Sequence, residues 1–212
     1  MNYTKLIREY CKSNNGAIFD VSKLKDTEFA EVPYKTLLKI LNRLEEEGVL
    51  SAVSKGVYFI GEKPVDEELI FDEYVDDGKG MFVGYQLFND VGISDYVDCK
   101  IEIYTNNIKS KQKSVGQYLL KRVDLEFDDD IVDLIALLEI LDTGYSMKGC
   151  DFMAYKKTVD ILLQSYSDSS FEKIVKAIRY KYSTIKQLSE LLETNSIDNN
   201  CLHIFESIVK TR

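Results

Sequence analysis

Lys35, Lys39, Asn42 and Arg43 fall at i, i+4, i+7 and i+8 of one stretch, so a helix through them carries two ammonium groups, an amide and a guanidinium on a single face. Such groups read nucleic acid. Arg and Lys donate to guanine in a major groove, and Asn bonds adenine. Lys55 lies further on, in Ser54-Lys55-Gly56, a Gly-containing hairpin connection. A lysine at that tip reaches a phosphate or the minor groove. The plainer reading is a solvated helix face on a module that contacts protein.

The element that must position these residues is Val32–Ile60. Pro33 fits the first helical position, where its missing N–H removes nothing. Tyr34, Leu37, Leu38, Ile40, Leu41 and Leu44 gather on the side opposite the cations, and Gly48 supplies the stop. Leu50–Val53 and Val57–Ile60 are β-rich runs about the Gly-containing turn. Glu45, Glu46 and Glu47 repel phosphate, so only the first two turns and the hairpin tip can lie against DNA.

Upstream, Asn2–Ser13 reads as a helix stopped by Asn14-Asn15-Gly16, with Ala17–Phe19 as a short strand and Val21–Lys25 as a second helix. Helix, strand, helix, helix, hairpin is the order of a winged helix-turn-helix. Gly61-Glu62-Lys63-Pro64 is read as the boundary between residues 1–63 and residues 64–212. Charge divides there too: the first part holds ten Lys/Arg and nine Asp/Glu, while the second holds 17 and 27 and carries the acidity of the chain's net −9.

The second part begins with a helix over Asp66–Val75 and a loop at Asp76–Gly80. Met81–Val83 is a strand or the lead-in to a small helix at Tyr85–Asp90. Strands follow at Lys100–Tyr104 and Gln117–Phe127, the latter paired with Lys113–Val115. From Asp128 the pattern is helical. The expected segments are Ile131–Leu141, Asp151–Ser165, Lys173–Tyr182 after a Ser169…Glu172 capping box, Leu188–Leu192 after a Thr184…Gln187 box, and Leu202–Val209. The expected fold is therefore α+β: an N-terminal winged helix-turn-helix, a small mixed α/β module and a C-terminal helical bundle.

LNRLEEEGVLSAVSKGVYFI resembles the third helix and wing of the AbiEi family of antitoxins from type IV toxin–antitoxin systems. The likeness continues into Phe82–Ser94 and Ile101–Asn107 and covers roughly residues 1–141. It implies a prokaryotic, cytoplasmic regulator whose N-terminal domain binds operator DNA and represses its own operon. It also implies a C-terminal region that counteracts a separately encoded nucleotidyltransferase toxin, direct contact not being required. The positions carried over are Lys35, Lys39, Asn42, Arg43 and Lys55, with no catalytic residue, cofactor or metal.

Enzyme readings are thin. Asp98-Cys99-Lys100 after Asp90 or Asp95 has the carboxylate–lysine pattern of a magnesium nuclease, against an ordinary charged strand edge. Asp76–Gly80 is too short for a phosphate loop, and the Asp124–Asp130 run is explained by a capped helix start. His203, the one histidine, is expected to pack within its helix. Cys11, Cys99, Cys150 and Cys201 lie far apart with no CxxC pair and read as free thiols. No apolar run approaches a membrane span. A homodimer is left open, and the acidic second part is a candidate docking face for a toxin or another regulator.

Overall fold

The computed structural model describes residues 2–61 and 67–211. The expected boundary at 61–64 therefore lies, apart from Gly61, outside the described residues. Helix α1 (Tyr3–Ser13) starts at Asn2, whose side chain accepts from the Lys5 N–H. Strand β1 (Ile18–Asp20) leads straight into α2 (Val21–Asp26), because the Asp20 carboxylate caps that helix at the Ser22 N–H, 2.8 Å away. Next come α3 (Tyr34–Glu46), β2 (Leu50–Ser54) and β3 (Val57–Ile60).

Gly48 ends α3 with a positive φ of 73°. The Gly48 N–H reaches the Glu45 carbonyl at 3.0 Å and the Val49 N–H reaches Leu44 at 2.9 Å, the paired bonds of a Schellman stop. The three strands form an antiparallel sheet in the order β1-β3-β2.

Helix α4 (Glu67–Tyr74) opens the second part, followed by β4 (Gly80–Val83), α5 (Tyr85–Asp90), β5 (Ile101–Thr105), β6 (Gln112–Val115) and β7 (Tyr118–Arg122). Their sheet runs β4-β5-β7-β6, with β5 and β7 parallel and the other pairs antiparallel. Five helices complete the chain: α6 (Asp129–Thr143), α7 (Phe152–Leu162), α8 (Asp168–Ala177), α9 (Tyr182–Thr194) and α10 (Cys201–Thr211). Asp128 caps α6 through the Ile131 N–H, as the acidic run suggests. Helix α6 is apolar nearly all round and is the axis on which α7, α8 and α9 pack.

Several local readings need correction. The strand read over Gln117–Phe127 stops at Arg122, and the chain then runs irregularly to the Asp128 cap. Both C-terminal capping boxes fall inside helices. Ser167 caps α8, two residues before Ser169, and α9 has begun at Tyr182 when Thr184 is reached. The Thr184 hydroxyl instead donates to Asp142 on α6 at 2.5 Å, a tertiary bond that local spacing does not reveal. His203 is exposed, because Cys201, Phe205 and Ile208 take the inward side of α10.

Three apolar clusters hold the molecule. One fills the front part between α1, α3 and one face of the first sheet, around Ile7, Phe19, Leu37, Leu41, Leu44 and Tyr58. The largest surrounds α6 in the helical end. The third joins the two parts: Ile18, Val57 and Phe59, on the other face of the first sheet, pack with Ile70 and Tyr74 of α4 and Ile103, Val115 and Leu120 of the second sheet. The first sheet is thus covered on both faces. No helix among the described residues is long and apolar enough to cross a membrane.

Candidate nucleic-acid interface

Helix α3 buries Leu37, Ile40, Leu41 and Leu44 and leaves Lys35, Lys39 and Asn42 exposed on the reverse side. These three have no hydrogen bond or ion pair among the described residues, so their donors are free for a ligand. The structure brings them together as their spacing demands.

Arg43 departs from that group. It is exposed but turns towards α1, where its Nη2 donates to Thr4 Oγ1 at 3.2 Å and its Nε lies 3.7 Å from Glu47 Oε1. Glu47 is also paired with Arg8. The cause is helical phase: Arg43 and Glu47, four apart, share the flank of α3 that faces α1. Tyr34 corrects the other flank. Expected among the leucines, it is 54% exposed, one edge beyond the buried arc and on the side of Leu38 and Glu45. Pro33 stands one place earlier than expected, as the N-cap residue, its carbonyl accepting from the Thr36 and Leu37 N–H groups at 2.8 and 2.9 Å.

Lys55 is exposed at the hairpin turn, which Gly56 closes with a φ of 74°. The turn does not swing free. The Gly56 carbonyl accepts from the Val21 N–H at 3.0 Å, tying the hairpin tip to the start of α2.

Most of the front part's remaining positive charge is consumed internally. Lys23 pairs with Glu73 of α4 at 2.7 Å, Lys25 donates to the Ala30 carbonyl at 2.6 Å, and Arg8 is held by Glu47. Lys12 on α1, exposed and without a partner among the described residues, joins Lys35, Lys39 and Lys55 as an available cation. Its exposed helical position was legible. Its availability depended on where the acids of the fold came to lie.

A clamp from the second part is what sequence reasoning had no means to find. Lys113 of β6 pairs with Asp20, 93 residues away, and both side chains are largely buried. Lys109 pairs with Asp26 at the far end of α2 and donates to the Ser22 carbonyl at 2.8 Å. Burial opposes ionisation of Asp20, but the bonds from Lys113 and Ser22 outweigh it and hold the carboxyl below its usual range. Helix α2, which sits before α3, is therefore fixed at its start to β6 and at its far end to the β5–β6 connection.

No set of three or more His, Cys, Asp or Glu side chains among the described residues is placed to hold an ion. Asp90 accepts from Gln86, and Asp98 accepts from the Lys100 N–H at 3.4 Å as an exposed turn does. All four cysteines are free thiols.

No protein-family model matches the chain. Nor does any curated protein match it. Among solved structures, it is similar to the RV2827C protein from Mycobacterium tuberculosis at 13% identity and a TM-score of 0.44, over 100% of this chain and 82% of that one. A likeness at that level carries no argument about this chain.

Proposed function

We propose that the front part is a winged helix-turn-helix that binds double-stranded DNA, with the first two turns of α3 in the major groove. The observation that carries this reading is the unpartnered strip of Lys35, Lys39 and Asn42 on the outer side of a helix whose other side is buried. Helix, strand, helix, helix and hairpin with an antiparallel β1-β3-β2 sheet support it. Lys35 and Lys39 donate to guanine edges or phosphates, Asn42 bonds adenine, and Lys55 anchors the hairpin on the backbone. Arg43 braces α3 against α1 and reaches DNA only by leaving Glu47. With the AbiEi-like stretches of β4, α5 and β5, the reading extends to an operon regulator that counteracts a nucleotidyltransferase toxin.

Mobility shifts on a double-stranded fragment from upstream of the protein's own gene test the binding. Lys35→Glu/Lys39→Glu should weaken it at least about tenfold and reduce the log–log salt slope by about 1.8, roughly 0.9 for each phosphate left without its lysine. Both side chains are exposed and unpaired, so the unfolding curve should not move. Equal binding by the two proteins removes the assignment. The antitoxin extension is tested on the adjoining reading frame: a nucleotidyltransferase whose toxicity the full chain does not relieve removes it.

A further inference from the structure

Helices α7 and α9 flank a cleft of about 300 Å³ against the end of α6. Its innermost residues are Leu141, Tyr155 and Val159, all buried. Two aromatic walls rise from there: Phe152 of α7 and Tyr145 of the turn after α6, each 57% exposed, with ring centroids 4.9 Å apart. The Tyr145 ring also lies 4.4 Å from that of Tyr155, and Leu191 of α9 completes the apolar lining. The Tyr155 hydroxyl is buried and has no hydrogen-bond partner among the described residues. A buried hydroxyl left unpaired is uncommon, and this one belongs to the lining of a cleft.

The polar side chains of the same cleft indicate what fills it. They are Lys156 and Asp160, one turn apart on α7, and Gln187 of α9. None has a side-chain hydrogen bond or ion pair among the described residues, although Lys156 and Asp160 stand at the i, i+4 spacing that pairs readily. The cleft therefore offers one cation, one anion and one amide beside aromatic walls. Its volume is at the low end for small-molecule sites, which run from about 300 to 1,000 Å³, so the occupant has the size of an amino acid and not of a nucleotide. A carboxylate alone would answer Lys156 and be opposed by Asp160, and an amine alone would do the reverse. An ammonium and a carboxylate on one carbon answer both, and the Gln187 amide can bond to either. Flat rings on the walls suit an aromatic side chain.

We propose that this cleft binds a free aromatic α-amino acid, with its carboxylate on Lys156, its ammonium on Asp160 and its ring against Tyr145 and Phe152. Neither α3 nor the hairpin takes part, so the failure of this inference would leave the DNA reading untouched.

Titration of the isotope-labelled full chain with phenylalanine, followed by amide resonances, tests it. The signals of Phe152, Lys156, Gln187 and Leu191 should shift and saturate together. Phenylpropanoate, which lacks the ammonium, and phenethylamine, which lacks the carboxylate, should each bind at least about tenfold more weakly. Leucine keeps both charges without the ring and should bind about threefold more weakly or worse. Lys156→Glu and Asp160→Lys should each weaken phenylalanine binding by about tenfold or more, with an unmoved unfolding curve because both side chains are exposed and unpaired. Lys156→Glu should at the same time bind phenethylamine more tightly than the wild type does, which a merely damaged cleft would not. No saturable shift up to about 10 mM phenylalanine overturns the proposal. So do shifts confined to residues outside the cleft, equal binding of the four compounds, or charge variants that bind as the wild type does.

Discussion

Two carboxylates withdrawn from solvent, one at each seam of the molecule, end with pKa shifts of opposite sign. Asp20 lies where the front part meets the second sheet, and Glu139 of α6 lies where that sheet meets the helical end. Burial raises the pKa of both. At Asp20 the Lys113 ammonium and the Ser22 bonds reverse the effect and hold the carboxyl low. At Glu139 the partners are the hydroxyls of Tyr104 and Tyr180, which donate to one carboxylate oxygen at 3.1 and 3.0 Å. Those neutral donors offset only part of the burial, and Glu139 titrates above its usual range. The difference teaches that the charge of the partner, not the depth of burial, sets the sign. Acid therefore loosens the first seam and relieves the second.

The largest effect comes from removing the cation. Lys113→Met leaves Asp20 charged, buried and bonded to Ser22 alone, and should cost about 3 kcal/mol at pH 7 in urea unfolding. It should also invert the pH response at that seam. In the wild type the contribution of Asp20 is full above the ordinary carboxylate value and is lost as pH falls towards its lowered folded value. In Lys113→Met, acidification through the weakly acidic range should instead recover stability, and a parallel loss would break the comparison.

A smaller change of opposite sign is expected at the other seam. Glu139→Gln keeps an oxygen to accept both tyrosine hydroxyls and removes the buried charge, so it should stabilise the protein by about 1 kcal/mol at pH 7. Because the folded pKa of Glu139 is raised, the wild type loses stability as pH climbs from the ordinary carboxylate value through the folded one. The gain in the variant should therefore vanish in acid, and a gain that persists there would mean that packing, not charge, is responsible.

The exposed ion pair of α3 marks the weak end of the series. Water and salt screen Arg43 and Glu47, so Arg43→Ala should cost only about 0.5 kcal/mol, less at high salt. A cost comparable to that of Lys113→Met would show that α1 and α3 depend on this pair far more than its exposure implies.

Helices α1 and α3, the hairpin and the Asp128 cap were legible in the sequence because periodicity, a stop glycine and a capping acid act within a few residues. The outward strip of Lys35, Lys39 and Asn42 was legible for the same reason. The capping boxes at Ser169 and Thr184 misled because a Ser/Thr-x-x-Glu/Gln spacing reads alike before a helix and inside one. Tyr34 misled because it falls at the edge of the buried arc.

What the chain's order fixed, then, is local: which residues are helical, where α3 stops and which cations share its face. Tertiary structure decided which of those cations stay free. Arg8 and Lys23 were claimed by acids brought to them by folding, and Arg43, already beside Glu47 in its own helix, was drawn to Thr4 of α1. It also clamped α2 from 93 residues away and covered the second face of the first sheet. A charge's partner is set by distance in space, which periodicity along the chain does not encode.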